Sequence, residues 1–169
     1  MSDMRFKRTD LFIFQALNNL LEQRPFSEVT VNEIATTSMV HRNTFYHHFE
    51  DKYELLHQFI IFALNKVSVD IDISKFNVEP FHVIHKLYMT SYHNLFNLQR
   101  NDDEFMKVFS TTFVEVFVKD MNDTDNIWAM GGISSIMTWN RLNGSPYDMF
   151  DDYVELDRIF KTHQFPKLN

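Results

Sequence analysis

Cysteine is absent from the 169 residues of the chain, and glycine and proline occur only three and four times. The absence of cysteine excludes disulfides, thiolate zinc sites and cysteine nucleophiles. So few glycines and prolines leave little room for the many turns of a sheet, and they favour a small number of long helices. The length is sufficient for one or two small helical domains with a hydrophobic core.

Long apolar runs are also lacking. No stretch reaches the roughly 18 uninterrupted apolar residues of a membrane-spanning helix, and the N-terminus has no apolar core of the kind that signal peptides carry. We therefore expect a soluble protein that works in the cytoplasm without contacting a membrane.

The chain has no excess of positive charge, since it holds 16 Lys and Arg against 23 Asp and Glu, a net charge of −7. Residues 57–169 carry a balance of −5 and residues 1–56 a balance of −2. A simple nucleic-acid binder shows the opposite sign. Any contact with nucleic acid should depend on a local basic patch and weaken steeply with salt.

Residues 30–49, TVNEIATTSMVHRNTFYHHF, are predicted to form two short helices joined by a tight turn. Thr30 and Glu33 have the spacing of a capping box, which predicts that the first helix begins directly after Thr30. Ile34 then lies on the buried face of this helix.

The second helix of this stretch places apolar and polar side chains on different sides. Phe45 and Phe49 are predicted to face inward, and Arg42 and Asn43 outward. A short helix held in this way is typical of a helix-turn-helix, whose second helix enters the major groove of DNA. Guanidinium and amide groups can bind base edges, while hydroxyl and ammonium groups can bind phosphates. The residues predicted to contact DNA are Thr30, Asn32, His41, Arg42, Asn43, Thr44, Tyr46, His47 and Lys52.

The run TFYHHFEDKYELL, preceded by TVNEIA, resembles the TetR/AcrR family of bacterial transcriptional regulators from about Arg8 to Leu56. The resemblance implies an all-α protein with an N-terminal three-helix DNA-binding head, at 1–51, and a C-terminal helical domain for ligand binding and dimerisation, at 52–169. It also implies that the basic arm at residues 5–8 can touch DNA, although a solvated basic tail explains the arm equally well.

Many members of this family have glycine in the turn where this chain has Met39. Glycine tolerates the left-handed conformation that commonly ends a helix. Methionine implies either strain of about 1–2 kcal/mol or a turn without that conformation. We expect the second arrangement, with the Met39 side chain packed inward.

Apolar periodicity and turn residues predict six further helices. The first should bury a stripe that includes Phe6, Ile13 and Leu17. The last two should meet at the turn of residues 143–145, with Pro146 in the first position of the final helix. The predicted ranges are 6–23, 52–69, 80–99, 104–121, 125–142 and 146–162.

Gly131 and Gly132 lie inside the helix predicted at 125–142, where each glycine costs roughly 1 kcal/mol relative to alanine. Such glycines permit the close approach of another backbone, and the resembled family commonly dimerises through its last two long helices. We therefore predict a homodimer. The same small residues would equally allow packing within one chain, and this alternative stays open. The residues assigned to the dimer interface are Gly131, Gly132, Ser135, Trp139, Phe150 and Val154.

The chain is rich in aromatic side chains, with 18 Phe, 6 Tyr and 2 Trp. The simplest interpretation is a helical core filled with phenylalanine. The other is an apolar cavity for a small-molecule effector, which the resemblance implies for the C-terminal domain. The residues assigned to its wall are His85, Tyr88, Tyr92, Phe96 and Phe113. No cofactor is expected.

The eight histidines do not form a catalytic or metal-binding pattern. His47 and His48 are adjacent, so a helix would point them about 100° apart, and His82 and His93 are too distant from each other to share an ion. No HExxH motif, glycine-rich phosphate loop or serine-centred elbow is present. We predict no metal site, no catalytic residue and no enzymatic activity.

These features predict a homodimeric repressor that binds a pseudo-palindromic operator and is released by a small ligand. Activation instead of repression is also compatible with the sequence. Two further alternatives stay open. One is a coactivator of the same fold that acts through a protein partner without binding DNA, which the acidic balance favours, and the other is a helical protein that only binds a small molecule.

Overall fold

The computed structural model describes residues 2–90, 92–118 and 122–167, with side chains from Arg8 onward. Within these ranges the chain has nine α-helices, short 3-10 helices at Phe26–Glu28 and Ile73–Lys75, and no strand. The predicted all-α class is confirmed. None of these helices is long and apolar enough to span a membrane. The α-helices are α1 (Ser2–Leu21), α2 (Val31–Thr37), α3 (Arg42–His48), α4 (Lys52–Val67), α5 (Pro80–Tyr88), α6 (His93–Gln99), α7 (Asp103–Phe117), α8 (Thr124–Leu142) and α9 (Tyr153–Thr162).

Two compact units divide the chain, and neither is continuous in sequence. The first comprises Met1–Ala63 and Ser91–Phe113, and the second comprises Leu64–Thr90 and Val114–Asn169. Packing therefore divides the chain differently from the predicted boundary after residue 51, because α6 and most of α7 return to the N-terminal helices. The extent of a separate DNA-binding domain stays a prediction.

The first unit is built around α1. Ile13, Leu17 and Leu21 on this helix are fully shielded from solvent, in the stripe that periodicity predicted. Ile34 from α2 and Phe45 from α3 are fully buried as well. Burying one such side chain contributes about 1.5–3 kcal/mol. This cluster therefore holds α2 and α3, which at seven residues each are too short to persist alone.

The second unit pairs α5 with α8 and α9. Phe81 on α5 and Leu156 on α9 belong to its fully buried centre. Asp157 adds a polar link, because its carboxylate accepts the backbone N–H groups of Phe81 and His82, in the first turn of α5, at 2.9 Å each. Burial raises the pKa of Asp157, and these two hydrogen bonds offset part of the shift.

The first predicted helix starts earlier than expected, since α1 begins at Ser2 instead of residue 6. The side chains of Arg5, Phe6 and Lys7 lie outside the described part of the chain. The burial predicted for Phe6 and the DNA contacts predicted for the basic arm therefore stay predictions. The helices predicted at 52–69 and 125–142 begin and end within two residues of α4 and α8. The helix predicted at 104–121 begins one residue after the start of α7, and its last three predicted residues, 119–121, lie outside the described part of the chain.

The helix predicted at 80–99 is wrong in one respect, because it is two helices, α5 and α6, separated by residues 89–92. The hydroxyl of Thr90 donates to the backbone carbonyl of Leu87 at 2.8 Å. A side chain bonded to the backbone in this way competes with continuation of the helix. The break also coincides with the boundary between the two units. Ser91, which was predicted inside the helix, lies outside the described residues.

The last predicted helix begins later than expected, at Tyr153 instead of Pro146. The buried side-chain amide of Asn140 forms hydrogen bonds with both backbone groups of Tyr147. It accepts the Tyr147 N–H at 3.1 Å and donates to the Tyr147 carbonyl at 2.8 Å. Because this side chain occupies the groups that a helix would use, residues 146–152 follow an irregular path.

Replacing Asp157 with alanine should lower the free energy of unfolding by about 1–3 kcal/mol, because the N–H groups of Phe81 and His82 would lose their acceptor. Urea unfolding followed by circular dichroism measures the change. Glu155→Ala is the matched control on the same helix, since Glu155 pairs with Arg158 near the surface, and it should cost less than about 1 kcal/mol. Equal losses in the two variants would contradict a stabilising cap between α9 and α5.

Candidate DNA-binding site

Helix α2 begins with the predicted capping box. The Glu33 N–H donates to the Thr30 hydroxyl at 3.3 Å, while the Glu33 carboxylate accepts the Thr30 N–H at 3.0 Å and the hydroxyl at 2.7 Å. The hydrogen bond from the Thr30 hydroxyl is the main reason that the pKa of Glu33 is lowered. Arg24 holds the same carboxylate at 2.8 Å. The Thr30 hydroxyl thus serves the helix start, and its contact with DNA stays a prediction.

The turn between α2 and α3 is not built as the sequence predicted. Met39 has a φ of 56°, in the left-handed region, and its side chain is 95% exposed. Both expectations for this residue, a turn without that conformation and an inward side chain, are wrong. The Met39 N–H donates to the Thr36 carbonyl at 3.1 Å and the Val40 N–H to the Ala35 carbonyl at 3.0 Å, so the end of α2 is capped. Such caps commonly need a left-handed residue.

Helix α3 presents one polar face to solvent. Arg42, Asn43, Tyr46 and His47 are exposed, and at 100° per residue they occupy an arc of about 140°. Phe45 on the opposite side is fully buried. The observed burial therefore follows the predicted division between an outward polar face and an inward apolar one.

His48 anchors α3 to α1 through a contact that sequence reasoning missed. Its Nδ1 lies 2.6 Å from Oδ1 of Asp10, and its side chain is almost completely buried. His48 follows Phe45 by three residues, which places both on one side of the helix. That spacing is the signal that could have indicated burial, although it does not identify the partner.

His41 caps the start of α3. Its Nδ1 accepts the backbone N–H of Asn43 at 3.2 Å, and the rest of the side chain is exposed. Because Nδ1 is an acceptor here, the neutral ring carries its hydrogen on Nε2. An N–H in that position can be donated to a phosphate oxygen, so the cap and a DNA contact are compatible.

Arg42 and Tyr46 lie one helical turn apart and hold each other on the exposed face. The guanidinium donates to the Tyr46 hydroxyl at 3.2 Å and lies 5.5 Å from the centre of its ring. The Tyr46 ring packs edge-on against Phe45, with ring centres 5.4 Å apart. A guanidinium has five N–H donors, so this bond leaves donors for a guanine edge or a phosphate.

The other predicted DNA contacts differ in their surroundings. Asn32 is exposed on α2, and Thr44 is half-buried on α3. Lys52 is directed at the protein, since its ammonium lies 3.1 Å from the Glu104 carboxylate and 3.2 Å from the Phe26 carbonyl. Lys52 could bind a phosphate only by leaving these acceptors, so it is not part of the proposed DNA surface.

Residues 13–59, from the buried stripe of α1 into α4, match the family model described as bacterial regulatory proteins, tetR family. The N-terminal domain belongs to the tetR family. The protein is accordingly a DNA-binding transcription regulator with a helix-turn-helix formed by α2 and α3. No curated protein matches the chain. The tetR-family match ends within α4 and therefore does not describe the second unit or α6 and α7.

Beyond the tetR-family domain, the predicted pocket residues are distributed between the two units. His85 and Tyr88 belong to the second unit, whereas Tyr92, Phe96 and Phe113 belong to the first. His85 stacks on Tyr153 with ring centres 4.2 Å apart, and Tyr88 stacks on Phe150 at 4.1 Å. These contacts match the interpretation of aromatic core filling, and ligand binding stays a prediction. No group of three or more His, Asp or Glu side chains in the described ranges could hold a metal ion.

The two glycines of the predicted dimer interface have different surroundings. A Cβ added to Gly132 would lie 2.5 Å from the ring of Phe160, so this glycine accommodates a side chain of its own chain. A Cβ added to Gly131 would meet no described atom within 4 Å. Packing within the chain therefore accounts for Gly132, and Gly131 stays a candidate for the interface.

The remaining predicted interface residues also differ in exposure. Val154 is 69% exposed on α9, and Ser135 is exposed with its hydroxyl donating to the Gly131 carbonyl at 2.9 Å. Trp139 and Phe150 are half-buried, and Trp139 packs on Phe165 with ring centres 4.9 Å apart. Val154 is thus an apolar residue of the predicted interface whose side chain lies largely uncovered.

Met39→Gly should stabilise the tetR-family domain by about 1 kcal/mol, because glycine adopts a positive φ without the steric cost of a Cβ. The Met39 side chain is almost fully exposed, so little buried surface is lost. The midpoint of urea unfolding measures the effect. Met39→Ala retains a Cβ and is the control, which should unfold close to the wild type. A glycine variant no more stable than the alanine variant would show that the turn is not strained.

Proposed function

We propose that the protein is a homodimeric repressor whose two α3 helices bind successive major grooves of a pseudo-palindromic operator. The observation that carries this proposal is the exposed polar face of α3 on a helix whose other side is fixed by Phe45 and His48. A recognition helix must be held rigidly to read base edges, and these two residues supply that support.

Each residue on the face has a role that its chemistry favours. Arg42 can form two hydrogen bonds with guanine, and Asn43 can do the same with adenine. His41 and His47, at the two ends of α3, can donate to phosphates. The Tyr46 hydroxyl already accepts from Arg42, which orients the guanidinium before DNA arrives. We therefore place base recognition on Arg42 and Asn43 and backbone contacts on the other residues.

Few cations contribute to this surface. Arg24 and Lys52 are paired with Glu33 and Glu104 inside the first unit, so Arg42 supplies the positive charge of α3. A single head with so little positive charge should bind DNA weakly, because few phosphates are neutralised. Two heads on one operator would multiply the affinity, which is one reason to propose a dimer.

The uncovered positions of Gly131 and Val154 support a dimer surface on α8 and α9. Release by a small ligand is proposed from the family resemblance, with the tetR-family match as its support. Such a ligand would act by binding one spacing of the two heads better than another. The proposed site of action is the bacterial cytoplasm, where the operator DNA is located.

Selection of bound sequences from random DNA should return a two-fold related site. Arg42→Ala and Asn43→Ala should each weaken binding to that site by about 1–3 kcal/mol, because each removes a base contact. A titration at two salt concentrations measures the loss. Lys107→Ala, at an exposed cation on α7, is the control and should bind like the wild type. If selection returns no preferred sequence, the operator proposal fails and a coactivator that acts through a protein partner becomes the better explanation.

Val154→Arg should convert the protein to monomers in sedimentation, because a charge would be buried in the proposed interface. Gly132 is unsuitable for this test, since any side chain there would collide with Phe160 in the same chain. Val114→Arg is the matched control at another exposed valine, on α7, and should leave the mass unchanged. A Val154→Arg protein with the mass of the wild type would argue against an interface at α9.

A further inference from the structure

We propose that the turn between α6 and α7 positions the DNA-binding helices through the buried side chains of Gln99 and Asp102. These two residues and the backbone of residues 21–27 that they bind form a clamp. The inference rests on the proposed function and assigns positioning residues to it. Both residues lie outside the tetR-family match at 13–59.

Gln99 is completely buried, and its amide is bonded to the loop that follows α1. Nε2 donates to the carbonyls of Leu21 and Arg24 at 2.7 and 2.8 Å, and Oε1 accepts the Phe26 N–H at 2.8 Å. The Leu21 carbonyl is a group that the end of α1 leaves without a partner in the helix itself, and the groups of Arg24 and Phe26 belong to the segment that follows. One side chain from α6 therefore completes the end of α1 and fixes the start of the next segment.

Asp102 binds Ser27, the residue that follows Phe26 in the same loop. Its Oδ2 accepts the backbone N–H of Ser27 at 2.8 Å and the Ser27 hydroxyl at 2.6 Å, while Oδ1 accepts the Phe105 N–H at 2.8 Å. Burial would raise the pKa of Asp102, but the hydrogen bonds from Ser27 and Phe105 outweigh it and leave the pKa below its usual value. Asp102 is therefore held as a carboxylate that joins the start of α7 to this loop.

The first residue of α4 holds the same loop from another element. The Lys52 ammonium donates to the carbonyls of Phe26 and Ser27 at 3.2 and 3.4 Å, and it pairs with Glu104 on α7 at 3.1 Å. The N–H and carbonyl groups of two successive residues, Phe26 and Ser27, are thus bonded to side chains from α4, from α6 and from the turn between α6 and α7. A loop held so completely has little freedom to shift.

The loop leads directly into the helix-turn-helix. Ser27 lies three residues before the Thr30 cap, and Arg24 bonds the Glu33 carboxylate that completes the capping box. Helix α2 packs in turn on α3. A displacement of the clamped loop should therefore move the start of α2 and change the angle at which α3 meets DNA.

The clamp residues Gln99 and Asp102 lie on a segment that is joined at both ends to the other unit of the chain. The segment Ser91–Phe113 is continuous with the second unit at both ends, at Thr90 and Val114. A rearrangement of the second unit would therefore displace α6 and α7. Because a partly broken network would leave buried polar groups without partners, the clamp should be either engaged or released, with few stable positions between.

Binding of the full-length chain to the DNA recovered by selection tests the clamp. Gln99→Met and Asp102→Ala should each weaken this binding by about tenfold or more under conditions where both proteins are folded, because a released loop lowers the fraction of correctly oriented heads. Asp102→Asn keeps an acceptor for Ser27 and should recover part of the affinity. Asp157→Ala is the matched control. It also removes a carboxylate that accepts two backbone N–H groups, but these belong to the start of α5 in the second unit.

Hydrogen exchange supplies a readout that a general loss of stability would not reproduce. In Asp102→Ala, amides of residues 22–33 should exchange at least about tenfold faster, with α8 and α9 unchanged. If Gln99→Met and Asp102→Ala prove unfolded, Ser27→Ala, which removes only the hydroxyl bond to Asp102, replaces them and should weaken binding about threefold.

Wild-type affinity in the clamp variants, or an equal loss in Asp157→Ala, would overturn the positioning role while leaving the operator proposal intact. Accelerated exchange throughout the chain would overturn it as well, because it would indicate general destabilisation. If the wild-type chain selects no DNA sequence, the proposed function is rejected, and the positioning role that depends on it is rejected as well.

Discussion

Two helices of seven residues carry the proposed DNA-binding surface, and neither could persist without the buried face of α1. Isolated helices of that length are unstable in water, because the cost of nucleation is spread over too few hydrogen bonds. In this protein Ile34 and Phe45 are completely buried with the α1 stripe, and His48 reaches Asp10 on the same helix. The orientation of the polar face of α3 is therefore set by packing against α1 instead of by the propensity of its own sequence.

Features fixed by neighbours in sequence could be predicted. The capping box of Thr30 and Glu33 involves residues three positions apart, and α2 begins where this cap predicts. Features fixed by distant partners could not. The late start of α9 depends on Asn140 binding the backbone of Tyr147 across the turn between α8 and α9, and no periodic pattern encodes that contact.

The same distinction applies to the site. The spacing of apolar residues correctly predicted which side of α3 is exposed, because that depends only on helix geometry. It could not predict that Lys52 binds the Phe26 carbonyl and Glu104, since Glu104 lies 52 residues later in the chain. A lysine in a DNA-binding motif and a lysine in an internal network look alike in one sequence. Met39 is a case where a local preference gave the wrong prediction. Methionine disfavours the left-handed conformation, but Met39 adopts it in the turn that caps the end of α2.

The acidic composition has a consequence for selectivity. Attraction between cations and phosphates supplies essentially all of the affinity for random DNA, so a head with a balance of −2 over residues 1–56 should bind such DNA poorly. The base contacts proposed for Arg42 and Asn43 would not weaken in proportion, because they depend on geometry at the groove. The ratio of specific to non-specific binding therefore rises as positive charge is removed, but only if the recognition helix is already held in the correct orientation. For a protein with this charge, the internal contacts of α3 and of the loop before α2 are worth more to recognition than additional surface lysines would be.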